Sequence, residues 1–144
     1  MAAPPNPQDM NPEEMARIHA AAFPHAPWGA QALGDLLKDP LTAPVFAPHG
    51  FALARLVLDE AEILTIAIDP AHQGRGHGTA LLRALLETLQ DRGAATCFLE
   101  VSAENAPALA LYAQNGFAQT GRRSGYYHTA SERRIDALLL SKSL

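Results

Sequence analysis

Ile63-Leu64-Thr65-Ile66-Ala67-Ile68 is followed, after Asp69-Pro70, by Gln73-Gly74-Arg75-Gly76-His77-Gly78-Thr79 and then by Leu81, Leu82, Leu85, Leu86 and Leu89. A run that is nearly all apolar is what a central strand covered on both faces requires. The leucines recur at helical spacing, so one stripe faces inward on a helix from about Gly76 to Arg92, and Gly93 ends it. A second apolar run, Thr96 to Val101, completes a strand-helix-strand unit. Such units make right-handed crossovers between parallel strands. The chain is therefore expected to hold a parallel strand pair, with a glycine-rich loop where the first strand meets the helix.

Working outward, Asn11 reads as an N-cap, Pro12 as the first helical residue and Glu13 and Glu14 as its acidic first turn. Met15, Ile18 and Ala22 share one face of that helix, which should end near Phe23-Pro24. A second helix is expected from about Ala30 to Lys38, burying Leu33, Leu36 and Leu37 and closing at Asp39-Pro40. Val45 to Ala47, Phe51 to Leu58 and Ile63 to Ile68, separated by turns at Pro48-His49-Gly50 and Asp59-Glu60, read as an antiparallel meander. Beyond the parallel unit a helix from about Glu104 to Gln114 is closed by Gly116, and strands follow around Phe117 to Arg122 and Ile135 to Leu140. The fold class is α/β, in the α+β sense of a central mixed sheet, antiparallel early and parallel in the middle, with helices on both faces. Residues 1 to 144 read as a single domain without repeats. Pro4, Pro5 and Pro7 make residues 1 to 8 a frayed leader.

Composition bounds the function. Of 144 residues, 48% are apolar and 18% charged, the balance of a globular chain with a core of its own. The single cysteine, Cys97, has no internal disulfide partner, which suits a reducing compartment. The formal charge of −4 argues against a binder of nucleic-acid backbones. None of the six histidines stands four residues from another, so no zinc helix is expected, and no metal. No apolar stretch reaches the roughly 18 residues that span a bilayer, and the first basic residue is Arg17, so neither a membrane span nor a signal peptide is read. The expected location is the cytoplasm.

Gly74, Gly76 and Gly78 precede a helix, so backbone N–H groups there sit at the positive end of its dipole, a seat for phosphate. A dinucleotide fingerprint would need glycine where Thr79 stands, and a P-loop would need a Gly-Lys-Ser/Thr ending; both are absent. The bland alternative is a tight turn that only starts the helix. Gln73, Gly76 and Gly78 do fit Gln-x-x-Gly-x-Gly, and on this pattern the loop resembles the pyrophosphate-binding segment of the GNAT acetyltransferases. That resemblance implies acetyl-CoA as co-substrate. Backbone groups of Ile66, Ala67 and Ile68 would pair with its pantetheine arm. Gln73, Gly74, Arg75, Gly76, His77, Gly78 and Thr79 would surround its pyrophosphate.

From Leu99-Glu100-Val101 through Asn105, Ala110-Leu111-Tyr112 and Asn115-Gly116-Phe117, the chain resembles the RimI type within that family. The resemblance implies transfer of an acetyl group to the N-terminal amine of a protein, such as a ribosomal protein that begins with alanine. A small-molecule or polyamine acceptor is the rival on the same scaffold, and a coenzyme-binding module without turnover is the rival outside it. An amine is mostly protonated at neutral pH, so a base must take a proton before it attacks, and Glu100 at the strand end is the candidate. The departing thiolate needs a proton, and Tyr112 is the candidate acid. Asn105, seven residues before Tyr112, would share its helix face and touch the coenzyme, and a thioester at the strand ends would face both Glu100 and Tyr112. Trp28, in a loop that resembles the acceptor loop of the type, and Tyr126 and Tyr127 would line the acceptor side. The oligomeric state is not readable from these residues.

Overall fold

The computed structural model describes residues 10–129 and 131–144, so the expected leader at 1–8 lies outside the described residues. Helix α1 (Pro12–Ala22) starts where Asn11 Oδ1 accepts the Glu14 N–H at 2.8 Å, and α2 (Ala30–Lys38) follows after the loop carrying Trp28. Strands β1 (Thr42–Ala47), β2 (Gly50–Val57) and β3 (Glu60–Ile68) form the antiparallel meander. A short 3-10 turn (Pro70–His72) leads to α3 (His77–Asp91), β4 (Thr96–Ser102), α4 (Ala106–Gln114), β5 (Ala118–His128) and β6 (Arg134–Ser143).

Several boundaries differ from the sequence reading: β1 begins at Thr42 rather than Val45, β3 at Glu60 rather than Ile63, and β6 runs on to Ser143 rather than Leu140. The fourth helix starts at Ala106 rather than Glu104, because Asn105 stays outside it as the N-cap and its Oδ1 accepts the Ala108 N–H at 3.3 Å. The fifth strand runs on to His128 rather than stopping near Arg122. Its register against β6 shifts between Arg123 and Tyr127, with Gly125 at φ +61°, so Ser124-Gly125-Tyr126 is absorbed as a bulge instead of ending the strand. Asp136 on β6 holds that bulge by accepting the Gly125 N–H at 2.8 Å and Arg122 Nε at 2.6 Å.

The six strands lie in the order β1-β2-β3-β4-β6-β5. Only β3 and β4 are parallel, and they pair over just Glu60–Glu62 against Thr96–Phe98. Past that point Ile63–Ile68 and Leu99–Ser102 share no ladder pairs, and the strands splay apart. A register shift against β2 leaves Leu64 as an extra residue on β3. Leu64 and Thr65 both turn toward α1, since Leu64 packs with its apolar core and Thr65 bonds its His19.

One apolar core joins Leu81, Leu82, Leu85, Leu86 and Leu89 of α3 to Cys97, Leu99 and Val101 of β4 and to Tyr112 of α4. A smaller one, on the other face, joins Met15 and Ile18 of α1 and Leu33 of α2 to Phe51, Leu53 and Ala67. Each fully buried leucine side chain contributes about 1.5–3 kcal/mol by leaving water. Burial pushes the Cys97 thiol up to about 12, so it stays protonated and behaves as core packing. Among the described residues no helix is long and apolar enough to cross a membrane.

Candidate active site

The glycine-rich loop is shaped by two residues with positive φ, Gly74 at +76° and Gly76 at +82°. No atom lies within 4 Å of where a Cβ would sit at either, so the demand for glycine is conformational rather than steric. Gln73 Nε2 donates to the Ile68 carbonyl at 3.1 Å, which ties the loop to the end of β3. Helix α3 opens with no side-chain cap and no acidic residue in its first turn, and its first intrahelical bond runs from the Ala80 N–H to the Gly76 carbonyl. The N–H groups of His77, Gly78 and Thr79 precede that bond and have no partner within the helix, the arrangement that accepts an anion. Arg75 is exposed beside them. The residues present thus fit a pyrophosphate group.

Ile66, Ala67 and Ile68 pair on one side with Ala52, Phe51 and Gly50 of β2. On their other side β4 has already splayed away, so that edge opens into the gap. Hydrogen-bonding groups along a strand edge can receive an extended ligand with amide groups.

Glu100 lies on the far wall of the gap. Its side chain is 26% exposed, with Oε1 3.1 Å from Arg123 Nη2 of β5. The Arg123 guanidinium also stands 5.3 Å from the centroid of the Tyr126 ring, and Tyr126 meets Tyr127 edge-on at 5.1 Å. Burial raises the Tyr127 pKa, with Glu100 and then Tyr126 adding to the shift, which places this phenol within electrostatic reach of the carboxylate. Glu100, Arg123, Tyr126 and Tyr127 thus form one cluster. Arg123 is the member not singled out from the sequence. Adjacent arginines on a strand point to opposite faces, and Arg122 turns instead to Asp136, so the sequence signal was present but its direction was not.

Tyr112 is buried on the α3 side, packed edge-on against Phe117 at 5.5 Å, and burial pushes its hydroxyl up to about 12. Cys97, Leu99 and Val101 of β4 face that same core, so strand alternation sends Glu100 to the opposite face. The two residues therefore meet one ligand only through the β3–β4 gap. Asn105 stands one residue ahead of the helix that carries Tyr112, as its N-cap, with its side chain engaged by the Ala108 N–H.

Trp28 is anchored. Its backbone N–H donates to His19 Nδ1 at 3.0 Å and its ring stacks on that imidazole at 4.8 Å and 14°. Since Nδ1 accepts, the ring proton is on Nε2, which donates to Thr65 Oγ1 at 3.3 Å. His19, 3% exposed and unremarked in the sequence, thus binds the Trp28 loop to the bulged stretch of β3. Burial holds its pKa below the ordinary 6.5. The unfolded chain therefore binds the proton first, so this stabilisation is complete above about pH 6.5 and is lost as pH falls through the lower folded value. Replacing His19 by Gln should flatten the acid side of a plot of melting temperature against pH, measured between about pH 7.5 and 5.

Arg133 closes the β5–β6 hairpin onto the start of α4 through two bonds to Glu104, at 3.0 and 2.8 Å. Two surface hollows, of about 500 Å³ beside Pro12, Gln31 and Asp35 and about 690 Å³ beside Arg83, Asn115 and Lys142, lie away from these groups. The strand gap, with the loop and Glu100 on its walls, is the place where named chemistry converges.

A phosphate-ready loop opening onto splayed parallel strands defines a class: the chain belongs to the acetyltransferase (GNAT) family, whose model matches residues 13–117. Within it, the [ribosomal protein bS18]-alanine N-acetyltransferase of Escherichia coli (strain K12) is 46% identical over 91 residues, 63% of this chain and 61% of that relative. The match thus spans less than two thirds of that relative's length. The mycothiol acetyltransferase of Catenulispora acidiphila is 34% identical over 127 residues, covering 74% of this chain and 40% of the relative. The crystal structure of the ribosomal-protein-S18-alanine N-acetyltransferase from Escherichia coli superposes with a TM-score of 0.80 at 34% identity, over 89% of this chain and 84% of that one.

Proposed function

We propose that this chain, a single-domain cytoplasmic enzyme, transfers the acetyl group of acetyl-CoA to the N-terminal amine of a protein, with a ribosomal protein beginning in alanine as acceptor. The observation that carries this reading is the β3–β4 gap, with an anion-ready loop at one end and the Glu100 cluster on one wall. Acetyl-CoA supplies an acyl carbon activated by a thiol leaving group. The loop from Gln73 to Thr79 holds its phosphates by backbone N–H groups and Arg75, and the open edge of Ile66 to Ile68 aligns its amide arm. Asn105 lines the coenzyme side, while Trp28, Tyr126 and Tyr127 line the acceptor side.

Glu100 takes a proton from the acceptor ammonium, directly or through water, so that nitrogen has a lone pair to attack the acyl carbon. A backbone N–H of Ile66 or Ala67 offsets the charge that develops on the carbonyl oxygen. The carbon–nitrogen bond forms, the carbon–sulfur bond breaks, the sulfur leaves as thiolate with a thiol pKa near 8.5, and the surplus proton on the new amide nitrogen passes to that thiolate or to water. Tyr112, at about 12, keeps its proton at every working pH, so a hydroxyl donor is always present for that sulfur. A group so weakly acidic serves mainly as a hydrogen-bond donor to the thiolate. Tyr112→Phe should accordingly lower kcat by about 10- to 100-fold, less than removal of a full acid, with the fold retained by circular dichroism.

A small amine is the second reading of the acceptor, favoured by the likeness to mycothiol acetyltransferase. The test is to incubate the chain with acetyl-CoA and a peptide copying an alanine-starting ribosomal terminus, then locate the added acetyl group by mass spectrometry. Acetyl on the terminal amine supports the protein acceptor. Coenzyme binding without peptide acetylation, together with turnover on small amines, would replace it with the second reading.

A further inference from the structure

Three histidines from three separate segments converge beside the glycine-rich loop. His49, in the β1–β2 turn, stacks on His72 of the 3-10 turn with ring centroids 3.4 Å apart and planes within 3°. His77, the first residue of α3, stands edge-on to both, at 5.6 Å from His49 and 6.4 Å from His72. Arg75 Nη1 lies 3.5 Å from His72 Nδ1. All three imidazoles are half-buried. Only His77 belongs to the loop motif.

The cluster is not built as a metal site: among the described residues no three histidine, cysteine or acidic side chains are placed to hold an ion. Nor is it a salt-bridge network. Among the described residues the acidic group that acts on His72 is Asp69, which is already engaged by the Ala71 N–H at 3.1 Å and by Arg17 of α1 at 3.3 Å. What remains is a nest of ionisable nitrogen bases beside three N–H groups that have no helical partner.

We propose that the His49–His72 stack completes the donor site, with His72 as a proton-linked phosphate contact, so that the chain takes up a proton when it binds the coenzyme's pyrophosphate and holds it more tightly as pH falls. This rests on the loop being the pyrophosphate site. In the free chain, burial, His49 and Arg75 all disfavour a charge on His72, and its pKa lies below the ordinary 6.5. A pyrophosphate placed at the loop reverses the sign of the local field and favours the imidazolium. Affinity therefore rises as pH drops below the bound-state pKa and levels off below the free-state one. With the rings 3.4 Å apart, two positive charges would repel, so the stack has room for one proton, carried by His72 against the His49 ring.

The probe is dephospho-coenzyme A, because the coenzyme's own phosphomonoester titrates near pH 6 and would obscure the effect, whereas the pyrophosphate does not. The full chain is titrated calorimetrically from about pH 8 to about pH 5.5, in buffers of differing ionisation enthalpy, so that proton uptake is read directly. We expect affinity to tighten by about fivefold or more over that range, with about half to one proton taken up near the midpoint. The double variant His49→Gln, His72→Gln should vary by less than about twofold and take up no proton. Binding that does not vary with pH in the wild-type chain overturns the proposal while leaving the donor loop intact. A pH dependence that survives in the double variant, with binding and circular dichroism retained, also overturns it. No binding at any pH overturns the donor-loop reading on which it stands.

Discussion

Glu100→Gln should lower kcat by about 100- to 1,000-fold while the affinity for acetyl-CoA changes by less than about twofold. The carboxylate and the amide have nearly the same shape, so the substitution removes a base without opening a cavity. Alternation along β4 sends Glu100 away from the face that carries Leu99, Val101 and Tyr112, so the donor side should not register the change. Arg123 loses its partner at 3.1 Å, but at 54% exposure its guanidinium returns to water at a cost of at most about 1 kcal/mol. Steady-state kinetics with the alanine-starting peptide and a separate coenzyme titration divide the two effects. An unchanged kcat would assign the amine's proton to solvent. A loss confined to coenzyme affinity would mean that Glu100 serves the donor rather than the acceptor.

Glu100, the proposed base, is already paired with Arg123. Arg123 is held by Glu100 on one side and by the Tyr126 ring on the other. An acceptor ammonium arriving beside Glu100 competes with that guanidinium for the same carboxylate oxygens. The exposed arginine can yield, since exposed ion pairs contribute little and their side chains reorient readily. On the proposed function, the cluster should therefore draw a cationic acceptor ahead of a neutral one before any proton moves, a terminal amine and a small basic molecule alike.

How much of this was legible depends on what carried each feature. The parallel unit was, because run length and leucine spacing between Ile63 and Val101 are local properties. The β3–β4 gap was not. Pairing stops after Glu62 and Phe98, and no residue there breaks a strand pattern; the splay follows from two packed layers and the extra residue at Leu64, which only the ladder reveals. The length of β5 was hidden because Ser124-Gly125 stands where the strand was expected to have ended near Arg122, and the bulge is held by Asp136, eleven residues beyond Gly125. His19 looked like one more polar residue on α1, and its burial depends on Trp28 folding back and Thr65 reaching down. Glu100 and Tyr112 were found by resemblance. Their opposite faces follow from β4 alternation once the core side is known.

Gly50→Ala should lower the melting temperature by about 10 °C and weaken coenzyme binding by about tenfold, although Gly50 is no part of the loop or the Glu100 cluster. A Cβ there would stand 2.5 Å from the Ala67 carbonyl oxygen, 2.7 Å from Ile68 Cδ1 and 3.2 Å from Leu81 Cδ1. The two side-chain tips can rotate aside. The carbonyl can retreat only if β3 moves, and Gly50 is paired with Ile68 in the ladder while the Asp69 N–H donates to the His49 carbonyl at 2.8 Å. Relief must therefore displace the last residues of β3, and overpacking of this kind costs about 3 kcal/mol. Those same residues form the edge that would align the coenzyme's amide arm, so the stability loss and the affinity loss share one cause. Gly29→Ala is the comparison: no atom lies within 4 Å of its Cβ position, so it carries only the N-cap preference for glycine over alanine, about 1 kcal/mol, and leaves β3 untouched. Thermal melts and calorimetric titration of both variants separate the outcomes. A drop in melting temperature with full coenzyme affinity would mean that the strain is taken up in the β1–β2 turn, and the donor edge would then need support other than Gly50.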